Sequence, residues 1–134
     1  MNGRLASQRV SIIEDPVADN SRELGNKSEN RLVYLSPDQL AERLRAEPAP
    51  LVLDVRDPQE LDGELGKLSG AVNVPLTQLK QRLGELSTYK LEHIVVVCRT
   101  GRRSEAAARI LQESGFERVF VLKGGMTAWR NAHQ

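Results

Sequence analysis

Apolar and polar positions divide this chain into short blocks that alternate between two periodicities. Val33–Leu35, Leu51–Val55, Ile94–Val97 and Arg118–Leu122 are brief apolar runs rich in β-branched residues. The second and third are continuous enough to read as strands buried on both faces. A fifth run, Gly70–Pro75, reads as a short strand closed by its proline. Between these runs the apolar spacing is helical. Ser36 stands as an N-cap ahead of Pro37 and Asp38, Leu40 and Leu44 form a stripe, and Pro48-Ala49-Pro50 ends the helix. Leu76, Leu79, Leu83 and Leu86 predict an amphipathic helix over 76–86 and belong to the core. An alanine-rich helix runs from about Arg103 to Ser114, with Gly115 as its left-handed C-cap. Lys123-Gly124-Gly125-Met126 turns the chain into a last short helix with Trp129 on its inner face. The segment 56–66 is predicted as a connection with one helical turn after Pro58.

Strands alternate with helices and no hairpin signal breaks the alternation. That pattern predicts an α/β fold: a central, mostly parallel five-stranded sheet with helices on both faces. In such sheets ligands bind outside the carboxyl ends of the strands. Asp54, Cys98 and Gly124-Gly125 all fall at such ends. Residues 1–30 differ from the rest, being polar and turn-rich, with only Val10-Ser11-Ile12-Ile13 able to pack. They are predicted as a mobile N-terminal extension ahead of a single domain over 31–134.

Composition narrows the partners. The 134 residues carry a net charge of +1 and are 28% charged and 4% aromatic. With no basic run outside the Cys98 loop, nucleic acid is not an expected partner. One cysteine excludes an internal disulfide and a cysteine-based metal cluster. His93 and His133 lack metal-ligand spacing, so neither a metal nor a cofactor is expected. No apolar run has the length of a signal peptide or a membrane span, so the expectation is a cytoplasmic protein without a membrane partner. A reducing compartment also suits a free thiol.

The chemistry centres on Cys98. It ends a buried strand and faces a helix N-terminus, where turn N–H groups and the helix dipole favour an anion. Arg99, Arg102 and Arg103 add positive charge. All three effects favour the thiolate, which is the nucleophile. Arginine at a helix N-terminus opposes the dipole, so Arg102 and Arg103 together point to an anion between them.

Four segments in register then carry a resemblance. Leu53-Asp54-Val55-Arg56-Asp57-Pro58-Gln59-Glu60, Gly70-Ala71-Val72-Asn73-Val74-Pro75-Leu76, Val97-Cys98-Arg99-Thr100-Gly101-Arg102-Arg103-Ser104 and Leu122-Lys123-Gly124-Gly125-Met126-Thr127-Ala128-Trp129 resemble a single-domain rhodanese over roughly 31–132. The resemblance implies sulfurtransferase activity. Cys98 would take a sulfane sulfur from a donor such as thiosulfate, hold it as a persulfide, and pass it to cyanide, a small thiol or a protein thiol. Arg99, Thr100, Gly101, Arg102, Arg103 and Ser104 would form the substrate-binding loop, with Arg103 contacting the anionic donor. Asp54 and Arg56 would support that loop. Where many relatives have a histidine ahead of Gly70-Ala71, this chain has Lys67.

Two other functions fit the same residues. One is a phosphatase or arsenate reductase, which also uses a cysteine and an arginine around an oxyanion. Four residues separate Cys98 from Arg103, and relatives acting on phosphate carry a longer loop. The other is a non-enzymatic persulfide carrier serving a partner in a sulfur relay.

Overall fold

The structure, a computed structural model, describes residues 31–133. The predicted extension and its Val10–Ile13 piece lie outside the described residues.

Five strands form one sheet: β1 (Val33–Leu35), β2 (Leu51–Asp54), β3 (Val72–Asn73), β4 (His93–Val97) and β5 (Arg118–Leu122). Their order is β1-β5-β4-β2-β3, and every pairing is parallel. The run read as most buried is therefore the central strand. Val97 pairs with Asp54 on one side, while Val96 pairs with Val121 on the other. Among the described residues three α-helices lie between strands, α1 (Pro37–Arg45), α2 (Leu76–Leu79) and α3 (Arg102–Glu113), and a fourth, α4 (Gly125–Ala132), follows β5.

The period of two along β4 sorts the core into two layers. Ile94, Val96 and Cys98 face Leu79, Leu86, Ala107, Ala108 and Leu111. Val95 and Val97 face Leu40, Leu122 and Met126, with Leu44 and Trp129 packed against them. Ile94 to Val97 are all 0% exposed, and full burial of such side chains is worth about 1.5–3 kcal/mol each.

Local signals set the helix ends. Ser36 Oγ accepts the Gln39 N–H at 3.1 Å and Gln39 Oε1 accepts the Ser36 N–H at 2.8 Å, a reciprocal capping box. At the other end of the sequence signals, α3 stops as expected at Gly115, whose φ is 94°. There the Gly115 and Phe116 N–H groups bond to Gln112 O and Leu111 O at 3.1 and 3.0 Å, closing a Schellman motif.

One predicted element is corrected. The 76–86 segment is α-helical only over Leu76–Leu79, then continues as a 3-10 helix over Lys80–Tyr89. Leu76/Leu79 and Leu83/Leu86 are spaced by three, which suits either helix. Gly84, Ser87 and Thr88 then weaken the α form. The turn expected after Pro58 is a 3-10 helix over Pro58–Asp62.

Candidate active site

Cys98 leaves the end of β4 with its side chain on the α3 side of the sheet. Three residues later Gly101 takes a φ of 121°, a backbone conformation costly for any residue with a Cβ. The chain reverses there and α3 begins at Arg102. As a result the Gly101 and Ser104 N–H groups both point at Cys98 Sγ, at 3.0 and 3.3 Å. Cys98 is 1% exposed, so these donors act in a shielded setting, where hydrogen bonds to negative charge are strongest. Ser104 Oγ is buried as well and has no hydrogen-bond partner among the described residues.

The loop is held from behind by α4. Met126 N–H donates to Cys98 O at 2.8 Å and Thr127 N–H donates to Arg99 O at 3.0 Å. This contact requires glycine at 125, where φ is 62° and an added Cβ would sit 2.5 Å from Cys98 O and collide with Arg99 O. Gly125→Ala is expected to cost about 2–3 kcal/mol through strain and overpacking. It should also slow alkylation of Cys98 by displacing the loop. Thermal unfolding and iodoacetamide kinetics check both effects; an unchanged melting temperature would show that α4 yields without strain.

Support also comes from the neighbouring strand. Arg56 and Asp54 are each 1% exposed and form a bidentate ion pair, with Nε to Oδ1 at 2.9 Å and Nη2 to Oδ2 at 2.7 Å. Asp54 Oδ1 also accepts the Arg56 N–H at 3.1 Å, and Arg56 Nη2 donates to Gly66 O at 2.8 Å. Asn73 Nδ2 reaches Asp54 O and Arg56 O at 2.9 and 2.8 Å. Every strong donor in this cluster has an acceptor, as a buried ion pair requires.

Arg103 is engaged by an acid from a separate connection. Its Nη1 donates to Glu60 Oε2 at 2.7 Å and its Nη2 to Glu60 Oε1 at 3.0 Å. Chiefly through these hydrogen bonds, Arg103 holds the Glu60 carboxyl well below its ordinary 4.5, at about 2, against the opposing effect of burial. Glu60 in turn pushes Arg103 up, and the charge of Cys98 adds to that shift. Arg99, Thr100 and Arg102 are exposed on the rim. A cavity of about 420 Å³ lies on the side of Thr100, Gly101 and Arg102, with Leu122 and Lys123. A second, of about 540 Å³, lies on the side of Arg99, Glu60 and Glu64. Lys67, where many relatives carry histidine, is exposed.

Sequence alone gives Glu60 and Asn73 no role of their own, and gives Gly125 only a place in a turn at a strand end. For Glu60 a signal existed: Asp57 and Glu60 have capping-box spacing, and the Asp57 N–H donates to Glu60 Oε2 at 3.0 Å. Among the described residues, no group of three or more His, Cys, Asp or Glu could hold a metal ion. No helix among them is long and apolar enough to cross a membrane.

A buried cysteine at the end of the central strand, cradled by the amides opening the next helix, matches a known family. The Rhodanese-like domain model matches residues 36–132, and the chain belongs to that family. It is 34% identical over 100 residues to the thiosulfate sulfurtransferase GlpE of Shewanella oneidensis, covering 75% of this chain and 94% of that one. It is 29% identical over 107 residues to the putative sulfur carrier protein YrkF of Bacillus subtilis, covering 80% of this chain. The chain spans only 56% of YrkF. Among solved structures, a rhodanese-related protein from Thermoplasma volcanium superposes with a TM-score of 0.66 at 28% identity, over 75% of this chain and 93% of that one. These relatives support sulfur transfer in general.

Proposed function

We propose that this protein is a sulfurtransferase that moves a sulfane sulfur from a small anionic donor such as thiosulfate to a thiophilic acceptor through a persulfide on Cys98. The observation that carries this reading is the pair of N–H groups directed at Cys98 Sγ. The Cys98 thiolate attacks the outer sulfur of thiosulfate. A new S–S bond forms, and the electrons of the old one leave with sulfite. The persulfide carries the negative charge, and the same amides stabilise it. Cyanide or a thiolate then attacks the outer persulfide sulfur, and the S–S electrons return to Cys98. Arg99 and Arg102 on the rim attract the anionic donor, which favours encounter at low salt. A reducing cytoplasm would keep the thiol free.

Intact mass measured after mixing with thiosulfate tests the first half of the cycle, and turnover with cyanide tests the second. The expected result is a gain of one sulfur atom followed by steady turnover, with an aryl phosphate turned over far more slowly on the same preparation. Comparable rates with the aryl phosphate would move the assignment to phosphoryl transfer. The likeness to a putative sulfur carrier favours a second reading, a partner-loaded persulfide carrier. Loading by a cysteine desulfurase but not by thiosulfate would select it.

A further inference from the structure

Four arginines surround the Cys98 loop, and their charges are unequally matched. Arg56 is neutralised by Asp54 at 2.7 Å. Arg103 is neutralised by Glu60 at 2.7 Å, with the two side chains 34% and 26% exposed. Arg99 and Arg102 have no ion-pair partner among the described residues. Arg103 is therefore the arginine whose contribution to the site depends on one nearby acid. That acid is itself fixed, since Glu60 Oε2 accepts both the Arg103 guanidinium and the Asp57 N–H. Glu60 also lines the 540 Å³ cavity together with Arg99. An anion entering there meets the unmatched guanidinium of Arg99 and the Glu60 carboxylate that engages both arms of Arg103.

We infer that Glu60 is a positioning residue that acts through Arg103 and sets how strongly the Cys98 site prefers anionic over neutral reagents. With Glu60 present, Arg103 is held in one place and its charge is offset. Without it, the guanidinium is free to turn towards a bound anion and present its planar fork. Substrate selectivity is then set partly by a residue that itself lies 38 positions before the cysteine. The inference rests on Cys98 being the reactive sulfur, as in the proposed function, and it does not require thiosulfate to be the donor.

The test uses the full chain and its single cysteine. Iodoacetate and iodoacetamide both alkylate a thiolate, which forms the S–C bond as iodide leaves. One reagent is anionic and the other neutral, so the ratio of their rates at one pH cancels the amount of reactive thiolate. Glu60→Gln is expected to raise the iodoacetate-to-iodoacetamide ratio by roughly 3- to 10-fold at low salt and by less at high salt. Glu60→Asp, which keeps the charge, should stay near the wild-type ratio. Arg103→Ala should lower it, because Glu60 is then uncompensated. In the Arg103→Ala background the effect of Glu60→Gln should shrink, since no guanidinium remains to be released.

With thiosulfate, Glu60→Gln should lower KM while kcat falls, because the anion and the departing sulfite are both held more tightly. An unchanged alkylation ratio in Glu60→Gln with an unchanged melting temperature would overturn the inference. So would an equal effect with and without Arg103, which would make Glu60 a background charge. Should Glu60→Gln fail to fold, Arg103→Ala alone decides: an undiminished ratio in that variant overturns the inference too. These outcomes are separable from the proposed function. Failure to form a persulfide from thiosulfate leaves the alkylation ratios standing, and normal persulfide formation does not protect the inference from ratios that do not move.

Discussion

Cys98→Ser is expected to remove sulfur transfer entirely while leaving the fold in place. Cys98 is the only thiol in the chain, so no second site can carry a persulfide. Serine is close in size, and its hydroxyl can accept the Gly101 and Ser104 N–H groups that now reach Sγ at 3.0 and 3.3 Å. The hydroxyl is a far weaker nucleophile at neutral pH than a thiolate. Intact mass should show no sulfur adduct, and turnover with thiosulfate and cyanide should match the protein-free background. Unfolding should move by no more than about 1 kcal/mol, the scale of a near-isosteric core change. Any transfer above background would rule out the persulfide route.

The largest effect on stability is expected at Arg56, which makes no direct contact with the sulfur. Arg56→Ala leaves the Asp54 carboxylate buried without its Nε and Nη2 donors and leaves Gly66 O without its donor. Removing one partner of a buried pair costs about 3–5 kcal/mol. For a domain of this size that should lower the melting temperature by more than about 10 °C. The double variant with Asp54→Ala should lose less than the sum of the two single losses, because the orphaned charge is then gone. A loss under about 1 kcal/mol in Arg56→Ala would show that water reaches Asp54 and replaces the guanidinium.

The sheet was legible because its signals are local. Ile94–Val97 is apolar without alternation, which only a strand covered on both faces tolerates, and the structure makes it the central strand. Gly101 and the helix start beyond it placed the amides near Cys98, and the geometry agrees. What could not be read came from residues distant in sequence. Nothing around Arg103 signals that Glu60, on a separate connection, will engage it. Arginine near an anion site reads as a ligand-binding group unless its partner is known. The contact between Gly125 and the Arg99 carbonyl is likewise a matter of tertiary approach; the sequence showed a glycine turn but not what it closes against. The 76–89 segment escaped for a different reason, since leucines spaced by three fit a 3-10 and an α-helix alike.

The way α4 grips the loop has a consequence for polarity. The carbonyl oxygens of Cys98 and Arg99 already accept the Met126 and Thr127 N–H groups. A tight loop most readily exchanges a donor for an acceptor by rotating one peptide plane through half a turn. A flip of the 98–99 or the 99–100 plane would strand one helix-terminal donor and one carbonyl, at a cost of about 1–3 kcal/mol for each group left unpaired. The first two planes of the loop are therefore anchored by α4, and the next one along, between Thr100 and Gly101, carries the N–H that reaches Sγ.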